Sequence, residues 1–309
     1  MTADPLFDAY VIVDWSARAV PSPKRPVADA IWWAVARRQG QRVSVEEPVY
    51  CRTRAAAIAA LADLFAAELS AGRRILAGFD FPFGYPEGLA ARVTGSPETL
   101  RLWQWLADAI EDGPNNANNR FEVAARINRL FDGVGPFWGC PVGRGIADLP
   151  MKGRARHGID HPAERRIVEM RQRSAQPTWK LFTTGSVGGQ ILLGLPALER
   201  LRQDPRFVGR VEIWPFETGL APPRGSAIAE IYPSLLDDAV AAQRWDGEIK
   251  DRAQVRVNAA AFARLDAAGG LAPLFAGSAD LTACERDLVA REEAWILGVG
   301  HRDALRAAA

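Results

Sequence analysis

The sequence predicts an α/β fold, in which helices flank a mixed sheet and a long insertion interrupts the core. Short apolar runs such as 10–13 (YVIV) predict strands, and an alanine-rich stretch at 53–70 predicts a helix. The segment of about 87–205 does not continue this succession of strand and helix patterns, and it contains tryptophans, asparagines and glycine-rich loops. We therefore expect a single domain over 1–309, with its core in 1–86 and 206–309 and a mainly helical and loop insertion at about 87–205.

The first 50 residues predict a three-stranded meander. The first strand ends at Asp14, the second covers 30–36 (AIWWAVA), and the third covers 42–49 after a turn at Gln39 and Gly40. The helix over 53–70 has Thr53 as its expected N-cap and Gly72 just beyond its end. A fourth strand at 75–79 (ILAGF) returns after this helix, and we expect it to lie parallel to an earlier strand.

Strand patterns resume only after the insertion. The runs 210–214 (RVEIW) and 228–232 (IAEIY) each precede a proline, and helices are expected at about 251–268 and 283–297. These elements complete the predicted core.

Composition restricts the class of protein. Hydrophobic residues make up 48% and charged residues 24% of the 309 residues, which is typical of soluble globular proteins. The net charge of +1 does not attract the whole molecule to nucleic acid or to a membrane, and no apolar stretch is long enough to cross a bilayer. The three cysteines are far apart, so we expect a cytoplasmic protein without a disulfide framework. The oligomeric state does not follow from the sequence.

Two aspartates occupy the carboxyl ends of predicted strands. Asp14 ends the first strand, and Asp80 ends the fourth within AGFDFPFGYP at 77–86. On neighbouring parallel strands, about 4.8 Å apart, the two carboxyl groups would raise each other's pKa. Such a pair persists when it shares a proton or binds a cation. Oxygen ligands without nearby Cys or His favour Mg²⁺ or Mn²⁺, and two such ions are a common apparatus for phosphodiester hydrolysis.

Three glutamates extend this candidate site. Glu230 lies within IAEIYP, and Glu292 and Glu293 lie within REEAWILGVG. Simpler roles remain open for all of these acids. A strand-ending aspartate can form a turn, Glu230 can pair with an arginine, and the later glutamates can be first-turn acids of a helix. The predicted catalytic residues are Asp14, Asp80, Glu230 and Glu293, and the predicted metal ligands are these four together with Glu292.

Other polar residues are candidates for substrate binding. The glycine-rich turn GSVGGQ at 185–190 precedes a helical stretch, where backbone N–H groups can bind phosphate, and it contains Ser186. Tight packing of this turn is an equally good explanation. Amides and basic side chains suit contacts with phosphates or bases, although a polar loop would explain them too. The candidates are Lys180, Ser186, Asn128, Arg120 and Arg256.

Several segments together resemble the family known as domain of unknown function 429. They are VDWSA, AGFDFPFGYP, WKLFTTGSVGGQILLGLPALERLR, VEIWPFET and AEIYPSLL, and the resemblance covers about residues 9–299. It implies a ribonuclease-H-like fold with a mixed five-stranded sheet flanked by helices, and a nuclease activity. It also implies that Asp14 and Asp80 are the acids of the first and fourth strands, and that Glu293, or else Glu292, is the acid of a late helix. Glu230 fits the family's Glu-x-x-Pro strand.

The leading hypothesis is metal-dependent hydrolysis of a phosphodiester, with Mg or Mn as the cofactor at one or two positions. The substrate would be a nucleic acid or another phosphoester. One alternative is phosphoryl transfer of the actin-like type, but DWSARAV lacks the glycines that such proteins place after the first strand. Another is a non-catalytic binding protein with the same fold.

Overall fold

The computed structural model describes residues 4–153, 157–158 and 160–309. Its sheet comprises β1 (Ala9–Asp14), β2 (Ile31–Gln39), β3 (Arg42–Val45), β4 (Val49–Cys51), β5 (Ile75–Phe79), β6 (Val211–Ile213) and β7 (Ser226–Glu230). The α-helices are α1 (Arg54–Ser70), α2 (Leu89–Thr94), α3 (Thr99–Ala109), α4 (Arg120–Asn128), α5 (Ile167–Arg171), α6 (Gly188–Arg202), α7 (Asp237–Gln243), α8 (Lys250–Ala267), α9 (Ala283–Leu288) and α10 (Arg302–Ala308). Short 3-10 helices lie at Pro233–Leu236 and Ala272–Ala276, and a π-helical turn lies at Val289–Glu293.

The sheet is mixed, with the strand order β3-β2-β1-β5-β7-β6, and β4 also pairs with β2. Strands β1, β5, β7 and β6 are parallel to one another, whereas β2 runs antiparallel to β1. The α/β class is confirmed, but the expected number of five strands is wrong, because the sheet has seven. Pro48 lies between β3 and β4, where one continuous strand was predicted at 42–49, and β6, which the run 210–214 predicted, is a further strand at the edge of the sheet.

Helices cover both faces of the sheet. Along β1, Val11 and Val13 contribute to one core, and Tyr10 and Ile12 contribute to the other, because successive side chains of a strand point to opposite faces. Helix α8 packs across β1 and β2 on the second face. The first core contains residues of α1, α3 and α6, so the insertion supplies part of the core itself.

Local signals explain the two longest helices. The Thr53 hydroxyl accepts a hydrogen bond from the Ala56 N–H group and caps α1, as its sequence predicted. Helix α8 begins and ends within one residue of the predicted range.

The helix predicted at 283–297 ends early. Helix α9 stops at Leu288, the π-helical turn follows, and Ala294 adopts a positive φ of 63°. Glu292 and Glu293 therefore lie at the end of the helical segment rather than at its start. Gly84 packs directly against the backbone of these two glutamates, where an added Cβ would lie 2.2 Å from the Glu292 carbonyl oxygen.

No helix in the described ranges is both long enough and apolar enough to span a membrane.

Candidate acidic site at the ends of the central strands

The site begins with two parallel strands that end together. Val13 of β1 pairs with Phe79 of β5, and the Asp80 N–H group donates to the Val13 carbonyl oxygen at 3.2 Å. Asp14 and Asp80 therefore follow at the same edge of the sheet. The expected adjacency of these strands is confirmed.

The two aspartate side chains lie within hydrogen-bonding reach of each other and are only partly exposed. Asp80 Oδ1 accepts a hydrogen bond from the Trp15 N–H group at 2.7 Å. Burial raises the pKa of Asp14 well above its usual value, and the charges of Asp80 and Asp251 raise it further. Burial also raises the pKa of Asp80, to about 7, although the hydrogen bonds from Trp15 and Asp14 oppose this shift. The pair is therefore arranged to hold a shared proton or a cation.

A third acid, Asp251, adds to the negative charge of the site. It lies in the first turn of α8, and its Oδ2 accepts a hydrogen bond from the Asp29 N–H group at 2.7 Å. Its charge acts on both Asp14 and Asp80, and burial raises its own pKa. Asp251 is not among the site residues predicted from the sequence. Its position as the first-turn acid of a predicted helix was the available signal.

Aromatic side chains hold the Asp80 segment in place. Phe79, Phe81 and Phe83 are buried and contact one another in sequence, with ring centroids 5.8 Å and 5.7 Å apart. Phe81 also packs on Trp15 at 6.0 Å. An added Cβ on Gly194 of α6 would lie 2.4 Å from the Phe81 ring, so this helix packs closely against the strand end. The aromatic residues around Asp80 thus form a rigid support for the carboxylate.

Glu230 has a different partner. Its carboxylate receives two hydrogen bonds from Arg166, at 2.8 Å and 2.7 Å, and a third from the Phe83 N–H group at 2.8 Å. Glu230 and Asp80 both line a cavity of about 40 Å³, but the Glu230 oxygen atoms are already engaged. We therefore correct the assignment of Glu230: it is a buried ion-pair partner rather than a metal ligand, which was the simpler role left open.

Glu292 and Glu293 fasten the insertion to the core. Glu293 accepts hydrogen bonds from the N–H groups of Ile167 at 2.6 Å and Glu87 at 3.0 Å. Glu292 Oε1 accepts from Gly88 at 2.8 Å and from Ala90 at 3.1 Å. Backbone donors engage both oxygens of Glu293 and Oε1 of Glu292, and neither glutamate joins a metal-holding group of three or more among the described residues, so their assignment as late-helix metal ligands is also corrected.

Two of the predicted substrate-binding residues have internal roles. The Asn128 amide donates to the carbonyl oxygens of Phe137 and Asp148, and its oxygen accepts from the Phe137 N–H group. The Arg256 guanidinium donates to Glu248 and to the Gln243 carbonyl oxygen. Both side chains therefore have partners within the protein, and their contact with a substrate stays a prediction.

The other three candidates lie around the amino end of α6. The Lys180 carbonyl oxygen accepts from the Gly188 N–H group, while its ammonium group donates to the Thr184 carbonyl oxygen at 2.6 Å. Ser186 lies two residues before α6 and is partly exposed, and Arg120 is buried beside Gly189.

The aspartate pair is not a complete metal cage. Across 4–153, 157–158 and 160–309, no three or more His, Cys, Asp or Glu side chains form a group that could hold a metal ion. Mg²⁺ commonly keeps several waters and binds one or two protein carboxylates together with substrate phosphates. The all-oxygen donors Asp14 and Asp80, with Asp251 near them, fit this type of site.

Comparison of the chain with protein-family models, with curated proteins and with solved structures yields no match. The family resemblance therefore rests on the sequence motifs.

Proposed function

We propose that the protein hydrolyses phosphodiesters with Mg²⁺ or Mn²⁺ held by Asp14 and Asp80, with Asp251 beside them. The observation that carries this proposal is the convergence of these carboxylates at one edge of the sheet. A nuclease of the ribonuclease-H-like type is expected to have acids on the first strand, on the strand after the first helix, and on a late helix. Asp14, Asp80 and Asp251 lie in this order, which supports such a layout.

The electrostatics of the site favour a cation. Asp14, Asp80, Asp251 and Asp29 come from separate parts of the chain, and they act on one another as like charges. Carboxylates in close contact destabilise a folded protein unless a proton or a cation neutralises them. A fold that keeps them together therefore sacrifices stability at this edge, as functional sites commonly do.

The chain supplies orientation for the reaction. Divalent ions in such sites activate a water molecule and stabilise the leaving oxygen of the phosphodiester. The Trp15 N–H group fixes one oxygen of Asp80, and the Asp29 N–H group fixes one oxygen of Asp251. The buried aromatic residues beside Asp80 limit its movement, so these carboxylates are held in position before substrate binds.

Cleavage assays test this proposal directly. The wild-type protein is incubated with single-stranded oligonucleotides, duplex DNA, RNA and bis(p-nitrophenyl) phosphate, with Mg²⁺, Mn²⁺ or EDTA. The substitutions Asp14→Asn and Asp80→Asn should each reduce metal-dependent cleavage at least about a hundredfold, because each removes a charge that the transition state requires. Asp251→Asn should also reduce it.

The matched control is Asp63→Asn, which removes an exposed carboxylate on α1 and should leave cleavage unchanged. Retention of wild-type turnover by both Asp14→Asn and Asp80→Asn would contradict the proposal.

A second candidate is a non-catalytic binding protein. It is favoured by one observation, which is that the described residues contain no ready group of three or more metal ligands. Titration with Mn²⁺, followed by calorimetry and by the electron paramagnetic resonance of free Mn²⁺, separates the two candidates. Binding of oligonucleotide without binding of Mn²⁺ or cleavage would favour the binding protein.

A further inference from the structure

The amino end of α6 presents unused hydrogen-bond donors. The Gly188 N–H group donates to the Lys180 carbonyl oxygen, but the N–H groups of Gly189 and Gln190 have no acceptor within the described part of the chain. Helix α6 has 15 residues, and the amino end of a helix carries a partial positive charge. By itself such an end is common to every helix, so a second feature is needed to indicate a ligand.

That second feature is Arg120, the first residue of α4. Its side chain is 5% exposed, and its Nη1 donates to Asn118 Oδ1 at 2.7 Å. Its Nε has no hydrogen-bond partner among the described residues. This Nε lies 3.3 Å from the position that a Cβ on Gly189 would take. A buried guanidinium with an unused donor therefore lies against the amino end of α6.

The charges of Asp112 and Glu122 favour the charged form of Arg120, but each of these acids is also engaged by another arginine. Asp112 is hydrogen-bonded to Arg54 at 2.6 Å, and Glu122 is hydrogen-bonded to Arg144 at 2.6 Å. Burial, followed by the charges of Arg54 and Arg144, lowers the pKa of Arg120 to about 10. A buried cation next to the positive end of a helix is unfavourable unless an anion binds there.

We propose that Arg120 and the N–H groups of Gly189 and Gln190 form an anion subsite for a phosphate group of the substrate. Helix amino ends and arginine forks are both established binders of phosphate. In keeping with the function proposed above, the substrate then carries a second phosphate beside the one that is cleaved. Oligonucleotides and nucleoside polyphosphates both have this chemistry.

The subsite lies beside the acidic pair. Gln190 Nε2 donates to the Trp15 carbonyl oxygen at 2.7 Å, and Ala17 packs next to Gly189. The three steps along the chain from Asp14 to Ala17 span at most about 11 Å when fully extended. A bound phosphate at Arg120 would therefore lie within reach of a substrate that also contacts Asp14 and Asp80.

Titration of the whole protein with inorganic phosphate in EDTA tests the subsite independently of metal and of catalysis. Isothermal calorimetry or ³¹P nuclear magnetic resonance should detect binding, and Arg120→Gln should weaken it about tenfold or more, because a charged hydrogen bond is lost. The control Arg126→Gln, an exposed arginine on the same helix, should bind phosphate like the wild type. Absence of phosphate binding by the wild type, or equal binding by Arg120→Gln, would overturn the inference.

A second variant covers the case in which Arg120→Gln does not fold. Gly189→Ala keeps the arginine, but its Cβ would lie 3.1 Å from the Leu181 carbonyl oxygen and 3.3 Å from Arg120 Nε. The variant should therefore also weaken phosphate binding. Wild-type phosphate affinity in a folded Gly189→Ala protein would count against the subsite.

Kinetics with two kinds of substrate separate the inference from the proposed function. Arg120→Gln should raise the KM for an oligonucleotide, or for a dinucleoside polyphosphate, by a larger factor than the KM for bis(p-nitrophenyl) phosphate, which carries no second phosphate. The substrate whose KM rises identifies the source of the second phosphate. Phosphate binding without any cleavage would contradict the proposed hydrolysis and leave the anion subsite intact. Cleavage of every substrate with unchanged KM would contradict the subsite alone.

Discussion

Replacing Arg166 with methionine tests how the insertion is joined to the core. The Arg166 side chain is fully buried and reaches three elements of the fold. It donates to Glu169 of α5 at 2.8 Å, to both oxygens of Glu230 at the end of β7, and to the Glu293 carbonyl oxygen at 2.8 Å. Methionine approximates the volume of the arginine stem but has no donor.

The expected loss of stability in Arg166→Met follows from the buried carboxylates that it leaves without a partner. Four hydrogen bonds to Arg166 are lost, and three of them involve a carboxylate with 2% exposure or less. Glu230 keeps one hydrogen bond from the Phe83 N–H group, and Glu169 keeps one from the Arg166 backbone. Removing one partner of a buried ion pair generally costs about 3–5 kcal/mol, because the other charge remains buried without compensation. We expect a loss of this size in the free energy of unfolding.

Urea unfolding at pH 8 and pH 5 measures the effect. Burial raises the pKa of Glu169, and the charge of Arg166 opposes this shift, so without Arg166 the pKa of Glu169 in the folded variant should rise further above the unfolded value of about 4.3. A raised folded pKa contributes stability below the unfolded pKa, and this contribution is lost as pH rises through the folded pKa. The deficit of Arg166→Met should therefore be largest at pH 8 and smaller at pH 5.

Two further variants make the result specific. Adding Glu230→Gln to Arg166→Met should restore part of the lost stability at pH 8, because one uncompensated charge is removed. The exposed Arg173→Met should change stability by less than about 1 kcal/mol. A deficit for Arg166→Met below about 1 kcal/mol, or one that is independent of pH, would refute the assignment of Glu230 to a buried ion pair.

Two other predictions concern carboxylates that are buried or crowded. Burial raises the pKa of Glu292 to about 7, so the stability it contributes at low pH is lost as pH rises from about 4.3 through 7. Glu292→Gln should reduce this pH dependence in urea unfolding by up to about 3 kcal/mol, and an unchanged dependence would exclude Glu292 as its source. Asp80→Asn removes one charge from the Asp14–Asp80 pair, so in EDTA at pH 8 calorimetry should show a melting temperature about 2–4 °C above that of the wild type. Mn²⁺ should raise the melting temperature of the wild type but not of this variant, and an equal rise in both would contradict the metal assignment.

Local patterns in the sequence predicted much of the fold and two of the three acids of the site, Asp14 and Asp80. The strands that end at Asp14 and Asp80 are short apolar runs, and their class and position follow from hydrophobicity over a few residues. Helices α1 and α8 follow from composition, with a local cap for α1. Because strands separated by one helix commonly pair in parallel, the adjacency of the two aspartates was predictable as well.

Only the tertiary structure decided which partner each remaining acid has. Glu230 meets Arg166 from 64 positions away, and Asp251 approaches Asp14 because α8 packs across β1. Helix α9 likewise ends at Leu288, and the glutamates beyond it accept hydrogen bonds from the backbone of residues 87 and 88, which are about 200 positions away in the sequence. Hydrophobic periodicity is a property of neighbouring residues, whereas the partner of a buried carboxylate depends on how separate elements pack. The sequence alone therefore determined where the strands end, and the packing decided which carboxylates are left for chemistry.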